Sequence, residues 1–343
     1  MCRDRAPVVG GDAPHWAPNR ANPNRANPNR ADPNRADPNR VNGKRLSALL
    51  VLALALPLAG GGDAVAAPLK VFACEPEWGA LARTLGGDNV EVYAATTAAQ
   101  DPHYIQARPS LIARARRADL LVCAGAELEI GWLPLLLRKS GNGRIQAGQP
   151  GHFMATAHTA LLEKPATLDR SRGHVHAAGN PHIHLDPRRV EQVARALAAT
   201  LAAIDPANAP QYRRNLADFA ARWQAAREEW RRLAAPLRGK RIVVYHNYWV
   251  YLERWAGLQR AAALEPKPGI PPSGSHLASL LEQMRQEPAA LIVHTEYRSG
   301  RAARWLSGKT GIPVLALPAT VGEGEELGQW FERLLRALLE AAG

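Results

Sequence analysis

Along residues 212–233 the apolar side chains Tyr212, Leu216, Phe219, Trp223, Ala226, Trp230 and Leu233 recur at alternating steps of four and three. That spacing puts them on one face of a helix of about seven turns. Pro236 and Gly239 follow and end it. On either side the pattern changes to short apolar runs separated by amphipathic stretches. Upstream these predict strands at 71–73, 90–93 and 120–123, with helices at 78–85 and 109–117. Downstream they predict a strand at 242–245, an apolar run at 258–263, a helix at 276–285, strands at 291–293 and 313–317, and a closing helix at about 327–339. Such alternation belongs to parallel sheets with helices on their faces. The expected fold is α/β, with two Rossmann-like lobes at 68–206 and 237–343 joined by one long rigid α-helix at 207–236. A ligand is expected in the interlobe cleft, facing the carboxyl ends of the strands.

The first part of the chain follows other rules. Residues 20–40 repeat a five-residue unit, first seen as Arg20-Ala21-Asn22-Pro23-Asn24. Its prolines and lack of apolar residues leave nothing to bury, so 1–40 reads as a disordered segment upstream of the true start, with Val41 the expected initiator. Lys44 and Arg45 then precede an apolar run at 46–59 and the small residues Val65-Ala66-Ala67, the order of a secretory signal peptide. The run is shorter than the roughly 20 residues that span a bilayer. Residues 41–67 are thus expected to direct export to the periplasm, with the mature chain starting near Ala67 or Pro68.

Composition narrows the choice of partners. Hydrophobic residues make up 46% of the 343 and charged residues 22%, which suits a globular protein. The net charge of +12 raises nucleic acid as a partner, but 1–67 holds nine Lys/Arg against five Asp/Glu, leaving +8 beyond it. Those charges lie along helical stretches such as 213–232 and carry no nucleic-acid-binding signature, so a solvated helix face is expected and no nucleic acid. Cys74 and Cys123 each end an apolar run and neither belongs to a CxxC pair. A disulfide and two buried thiols fit that pattern equally.

Ten of the eleven histidines lie beyond residue 67, and local context separates three of them. His103 stands in Asp101-Pro102-His103-Tyr104, in a loop before a helix opened by Pro109-Ser110. His182 stands in Asn180-Pro181-His182-Ile183-His184-Leu185-Asp186-Pro187, bracketed by prolines. His246 directly follows the strand Ile242-Val243-Val244-Tyr245. Imidazoles supplied by separate stiff segments suit a tetrahedral zinc site completed only by folding.

These spans resemble the metal-specific solute-binding proteins of bacterial ABC transporters, the zinc and manganese family with a rigid linker helix. There an Asp-Pro-His segment followed by Pro-Ser gives the first ligand, matching His103. A Pro-His segment before Asp-Pro gives the second, matching His182. A residue just after the first strand of the second lobe gives the third, matching His246. Ala118-Asp119-Leu120 and Gly125-Ala126-Glu127-Leu128-Glu129 fit the family pattern too, and the resemblance covers 68–343. It implies a monomeric, non-enzymatic periplasmic receptor that holds Zn2+ and delivers it to an ABC transporter permease in the inner membrane.

The resemblance also exposes departures. Family members often place a carboxylate in the last strand-to-helix loop, but here Leu317-Pro318-Ala319-Thr320-Val321-Gly322 has none until Glu323. Glu296 is taken as the fourth metal ligand, with His294, Glu323 and water as the other options, since His294 and Glu296 share a side of an alternating strand. Thr96-Thr97-Ala98-Ala99 replaces a Pro/Gly-rich turn before His103. His174, His176 and His184 form a cluster suited to collecting zinc at the mouth of the site, or to a solvated loop. Trp132, Trp249 and Trp255 are expected in the lobe cores or at the interlobe face. Three rival readings remain: a three-His zinc hydrolase, which shows no HExxH pair, a manganese receptor, and a carrier of haem or a metal chelate. Three imidazoles with at most one carboxylate favour zinc over manganese.

Overall fold

A computed structural model describes residues 67–165 and 176–343; the repeat segment, nearly all of the expected leader and His174 lie outside them. The first sheet contains β1 (Leu69–Ala73), β2 (Val90–Ala94), β3 (Leu120–Cys123) and β4 (His152–Met154), all parallel, in the order β2-β1-β3-β4. The second contains β5 (Arg241–Val244), β6 (Gln259–Ala263), β7 (Leu291–Thr295) and β8 (Val314–Leu317), and repeats that arrangement as β6-β5-β7-β8. Helices α1 (Pro76–Gly86), α2 (Pro109–Arg117), α3 (Leu133–Ser140) and α4 (Pro187–Ile204) belong to the first half. Helices α6 (Val250–Ala256), α7 (Gly274–Gln286), α8 (Arg301–Thr310) and α9 (Leu327–Ala342) belong to the second. Between them runs α5 (Ala209–Leu233), 25 residues long. This is the expected two-lobed α/β fold.

Strand alternation sorts the side chains into layers. Val71, Leu120 and Val122 of the first sheet share one continuous core with Ile242, Val244, Leu291 and Val293 of the second, filled in by α1, α4, α5 and α9. The alternate residues Phe72 and Leu121 meet α2 and α3. Val243 and Ile292 meet α7 and α8. Covering both sheet faces in this way is what makes the strands read as unbroken apolar runs.

The four-three face of α5 is buried through Tyr212, Phe219, Trp223 and Trp230. The Trp223 indole donates to the Pro187 carbonyl at 2.8 Å, and Asn215 donates to the Leu85 carbonyl at the end of α1 at 2.9 Å. Trp230 packs on Phe331 of α9 at 4.9 Å between ring centres. The helix is therefore fastened to both lobes, and truncating one such Trp costs about 3–5 kcal/mol.

Some elements were not anticipated. Helix α4 starts with signals legible in hindsight: Pro187 opens it, and the Asp186 carboxylate accepts from Arg188 N. Strand β4 is three residues long, too short to show a period. Cys74 and Cys123, at the ends of the paired strands β1 and β3, form a disulfide, which decides between the two readings of these cysteines.

Candidate metal centre

His103 sits in a tight turn, Pro102–Tyr104, after β2. The Asp101 carboxylate caps the turn, accepting from the His103 backbone N–H at 3.1 Å and from its Nδ1–H at 2.7 Å. The Pro102 carbonyl accepts from the Trp132 indole at 2.9 Å, so a core tryptophan fixes the loop from beneath. With Nδ1 donating to a carboxylate, Nε2 keeps its lone pair for a metal.

His246 follows β5 and repeats this arrangement from the other lobe. Its Nδ1–H donates to Glu265 Oε2 at 2.7 Å, just past the end of β6. Burial lowers the His246 pKa below its ordinary value, with Glu265 opposing. Burial by itself would raise the Glu265 and Asp101 carboxyls, but the hydrogen bonds from their imidazoles hold both below the ordinary range.

His182 is different. Asn180 accepts from its backbone N–H at 3.0 Å and donates to the Asn247 carbonyl of the second lobe at 2.9 Å. Its ring lies against that of Tyr248, tilted by 36°, with 4.0 Å between ring centres. The residue is 1% exposed, yet among the described residues neither ring nitrogen has a hydrogen-bond partner. A buried polar group left this way costs on the order of 1–3 kcal/mol unless another species satisfies it. Burial, then the neighbouring His103 and His246, push its pKa well below the ordinary value. It is held as a neutral imidazole, the ligating form.

The three rings converge. Their centres are 5.8 Å apart for His103 and His182, 6.2 Å for His103 and His246, and 6.3 Å for His182 and His246. Three imidazoles on one tetrahedral ion place their ring centres roughly 5 Å apart, so the triangle is slightly open. His176 completes the group: its Nε2 is 3.4 Å from His103 Nε2.

The other expected positions lie elsewhere. In β7 the inward residues are Leu291 and Val293, whereas Ile292 faces α7 and α8. The alternation was read correctly but assigned to the wrong face. His294 therefore packs against Gly300 before α8, its Nδ1–H donating to the Thr295 carbonyl at 2.9 Å. Glu296 is exposed and near Arg333. Among the described residues it makes no hydrogen bond or ion pair with the imidazoles. Glu323 is exposed as well. His184 is no part of a solvated loop: it is buried, with Nε2 at 3.0 Å from the Tyr248 hydroxyl and 3.1 Å from the Ala319 carbonyl. Cys74, Cys123 and Glu129 bring potential ligand atoms within 4.8 Å of one another, but the disulfide uses both sulfurs. Trp132 and Trp249 are buried and Trp255 packs on Phe331.

Sequence reasoning missed the carboxylates that accept from these imidazoles. Asp101 was quoted only as part of a motif, and Glu265 was not singled out. Asp101, two positions before His103, was the one with a local signal.

A family model described as zinc-uptake complex component A, periplasmic, matches residues 71–341. The chain belongs to this family. It is a metal-binding component of an ABC uptake system and not an enzyme. Among relatives, the high-affinity zinc uptake system protein ZnuA of Paracoccus denitrificans is 29% identical over 273 residues, covering 70% of this chain and 79% of that protein. The manganese ABC transporter substrate-binding lipoprotein PsaA of Streptococcus anginosus is 23% identical, covering 81% of this chain and 89% of its own length. A crystal structure of ZnuA superposes with a TM-score of 0.67 at 22% identity, over 80% of this chain and all of that one. That likeness shows the fold, and family members act outside the cytoplasm.

Proposed function

We propose that this protein is an exported receptor that captures Zn2+ through His103, His182, His246 and His176 and passes it to an ABC-type permease. The observation that carries this reading is His182: a buried, neutral imidazole whose two nitrogens have no partner among the described residues, amid other imidazoles. Supporting it, His103 and His246 each donate Nδ1–H to a carboxylate, which leaves Nε2 for the ion. His176 replaces Glu296 as the fourth ligand in this proposal. At about 2.0 Å from a tetrahedral ion, neighbouring nitrogens stand roughly 3.3 Å apart, which the His103 to His176 spacing of 3.4 Å matches.

Four imidazoles favour zinc over manganese, which prefers carboxylate, carbonyl and water ligands and ranks lowest in the divalent series. The working units are lobes 68–206 and 237–343 with the linker 207–236, as a monomer. Export by residues 41–67 accords with the order of Lys44-Arg45, the apolar run and Val65-Ala66-Ala67. Mass spectrometry of periplasmic protein checks the start near Ala67 or Pro68; recovery of a chain carrying the Asn-Pro repeats overturns it.

The central test is competition titration with zinc and manganese. Single His103→Ala, His182→Ala and His246→Ala variants are expected to lose at least tenfold in zinc affinity, and His176→Ala less. Wild-type binding by His182→Ala, or manganese binding as tight as zinc, overturns the reading.

A further inference from the structure

Arg298, between β7 and α8 in the second lobe, joins the two metal-orienting carboxylates. Its Nη2 donates to Asp101 Oδ2 at 2.9 Å, and its Nη1 donates to Glu265 Oε1 at 3.1 Å. Each carboxylate thus gives one oxygen to an imidazole and the other to the same guanidinium. The chain of contacts runs His103, Asp101, Arg298, Glu265, His246, beginning in one lobe and ending in the other. The Arg298 side chain is 19% exposed, and the Asp101 and Glu265 side chains 15% and 2%. The guanidinium also lies over the Tyr245 and Tyr297 rings, at 5.6 and 5.9 Å.

We propose that Arg298 is a cross-lobe positioning residue that sets the directions of His103 and His246 toward the ion and ties zinc capture to the register of the two lobes. The proposal rests on the zinc-site reading above. Three physical effects support it. A planar fork with donors in fixed directions matches two carboxylates better than a flexible ammonium does. Fixing both acids fixes the Nδ1–H tautomer and the ring rotation of both ligands, and outer partners of this kind are worth about 10–100-fold in metal affinity. The one positive charge also offsets the buried Glu265 and the part-buried Asp101 carboxylates, which would otherwise repel each other. Because Asp101 and Arg298 sit in different lobes, the fork closes only when the lobes are in register, and the imidazoles are then already aimed.

The experiment compares Arg298→Gln and Arg298→Lys with the parent chain. It measures zinc affinity by competition, metal-free melting temperature, and the visible spectrum of the Co2+ form, which reports ligand geometry. For Arg298→Gln the expected result is a 10–100-fold loss of zinc affinity with an altered cobalt spectrum. Arg298→Lys keeps the charge without the fork and should fall between. If Arg298→Gln does not fold, Arg298→Lys alone decides by the same two readouts. Zinc affinity within twofold of the parent overturns the proposal. So does a loss of affinity with an unaltered cobalt spectrum, which would mean a general stabilising role. His182→Ala separates the two levels: if it binds zinc normally, the site reading fails; if it loses zinc while Arg298→Gln does not, only the role of Arg298 fails.

Discussion

The two lobes use the same backbone plan at their central strands and end it in opposite ways. Cys74 N donates to the Val122 carbonyl at 2.9 Å, and Tyr245 N donates to the Val293 carbonyl at 2.8 Å. Ala95 N donates to the Ala73 carbonyl, and Leu264 N to the Val244 carbonyl, both at 2.8 Å. These bonds make Glu75 the counterpart of His246, and Thr96 the counterpart of Glu265. In the second lobe that pair is the His246 imidazole, which lies beside His103 and His182, and the carboxylate that accepts its Nδ1–H. In the first lobe Thr96 donates to the Cys74 carbonyl, Cys74 is bridged to Cys123, and Glu75 is buried beside Glu129. Burial raises the Glu75 carboxyl well above its ordinary value of 4.5, helped by Glu129 and Glu77, and raises Glu129 as well. Thus one strand end joins the imidazole group and its equivalent is a structural knot. The first lobe brings its imidazoles to the group, His103 and His182, from loops beyond the sheet.

The largest expected contrast is between these two equivalent positions. His246→Ala should cut the zinc-induced rise in stability, which at a thousandfold excess over Kd amounts to about 4 kcal/mol, by at least about 1.4 kcal/mol. Glu75→Gln should leave that rise intact. Thermal melts of both variants with and without zinc measure it, and loss of the zinc effect in Glu75→Gln would dissolve the contrast.

Next in size is the staple. Replacing Cys74 and Cys123 together by serine should lower stability by about 2–5 kcal/mol while changing zinc affinity less than threefold. Denaturant unfolding and zinc competition on the same preparation separate the two effects.

A smaller effect follows from the buried acids. A carboxyl whose folded pKa is raised binds its proton more tightly in the native state, so its contribution to stability is complete below the unfolded value and lost as pH rises through the folded one. From about pH 4.5 upward the contribution of the Glu75 and Glu129 pair to the stability of the metal-free protein should fall, by up to about 1.4 kcal/mol per pH unit per proton. Glu75→Gln should flatten that slope. An unchanged slope would mean that Glu75 and Glu129 share no proton.

The smallest expected effect is none. Glu296→Ala should bind zinc like the parent, because the residue is exposed beyond the outward-facing side of β7. A tenfold loss by competition titration would return it to the ligand set.

Much of this protein was legible in its sequence. The spacing from Tyr212 to Leu233 located α5, because an amphipathic helix writes its buried face directly into the order of residues. The alternation of short apolar runs gave the two sheets for the same reason, and stiff local contexts singled out His103, His182 and His246. Other features were set only by tertiary structure. Which face of β7 turns inward depends on the helices packed against it, so His294 and Glu296 were placed on the wrong side. His184 reads locally like His182, yet burial against Tyr248 and Ala319 makes it structural. Arg298 meets Asp101 across 197 positions of sequence, and no local pattern encodes such a pairing. Periodicity reports what a segment buries; it does not report which distant charge arrives beside it, because that is fixed only when the two lobes pack on α5.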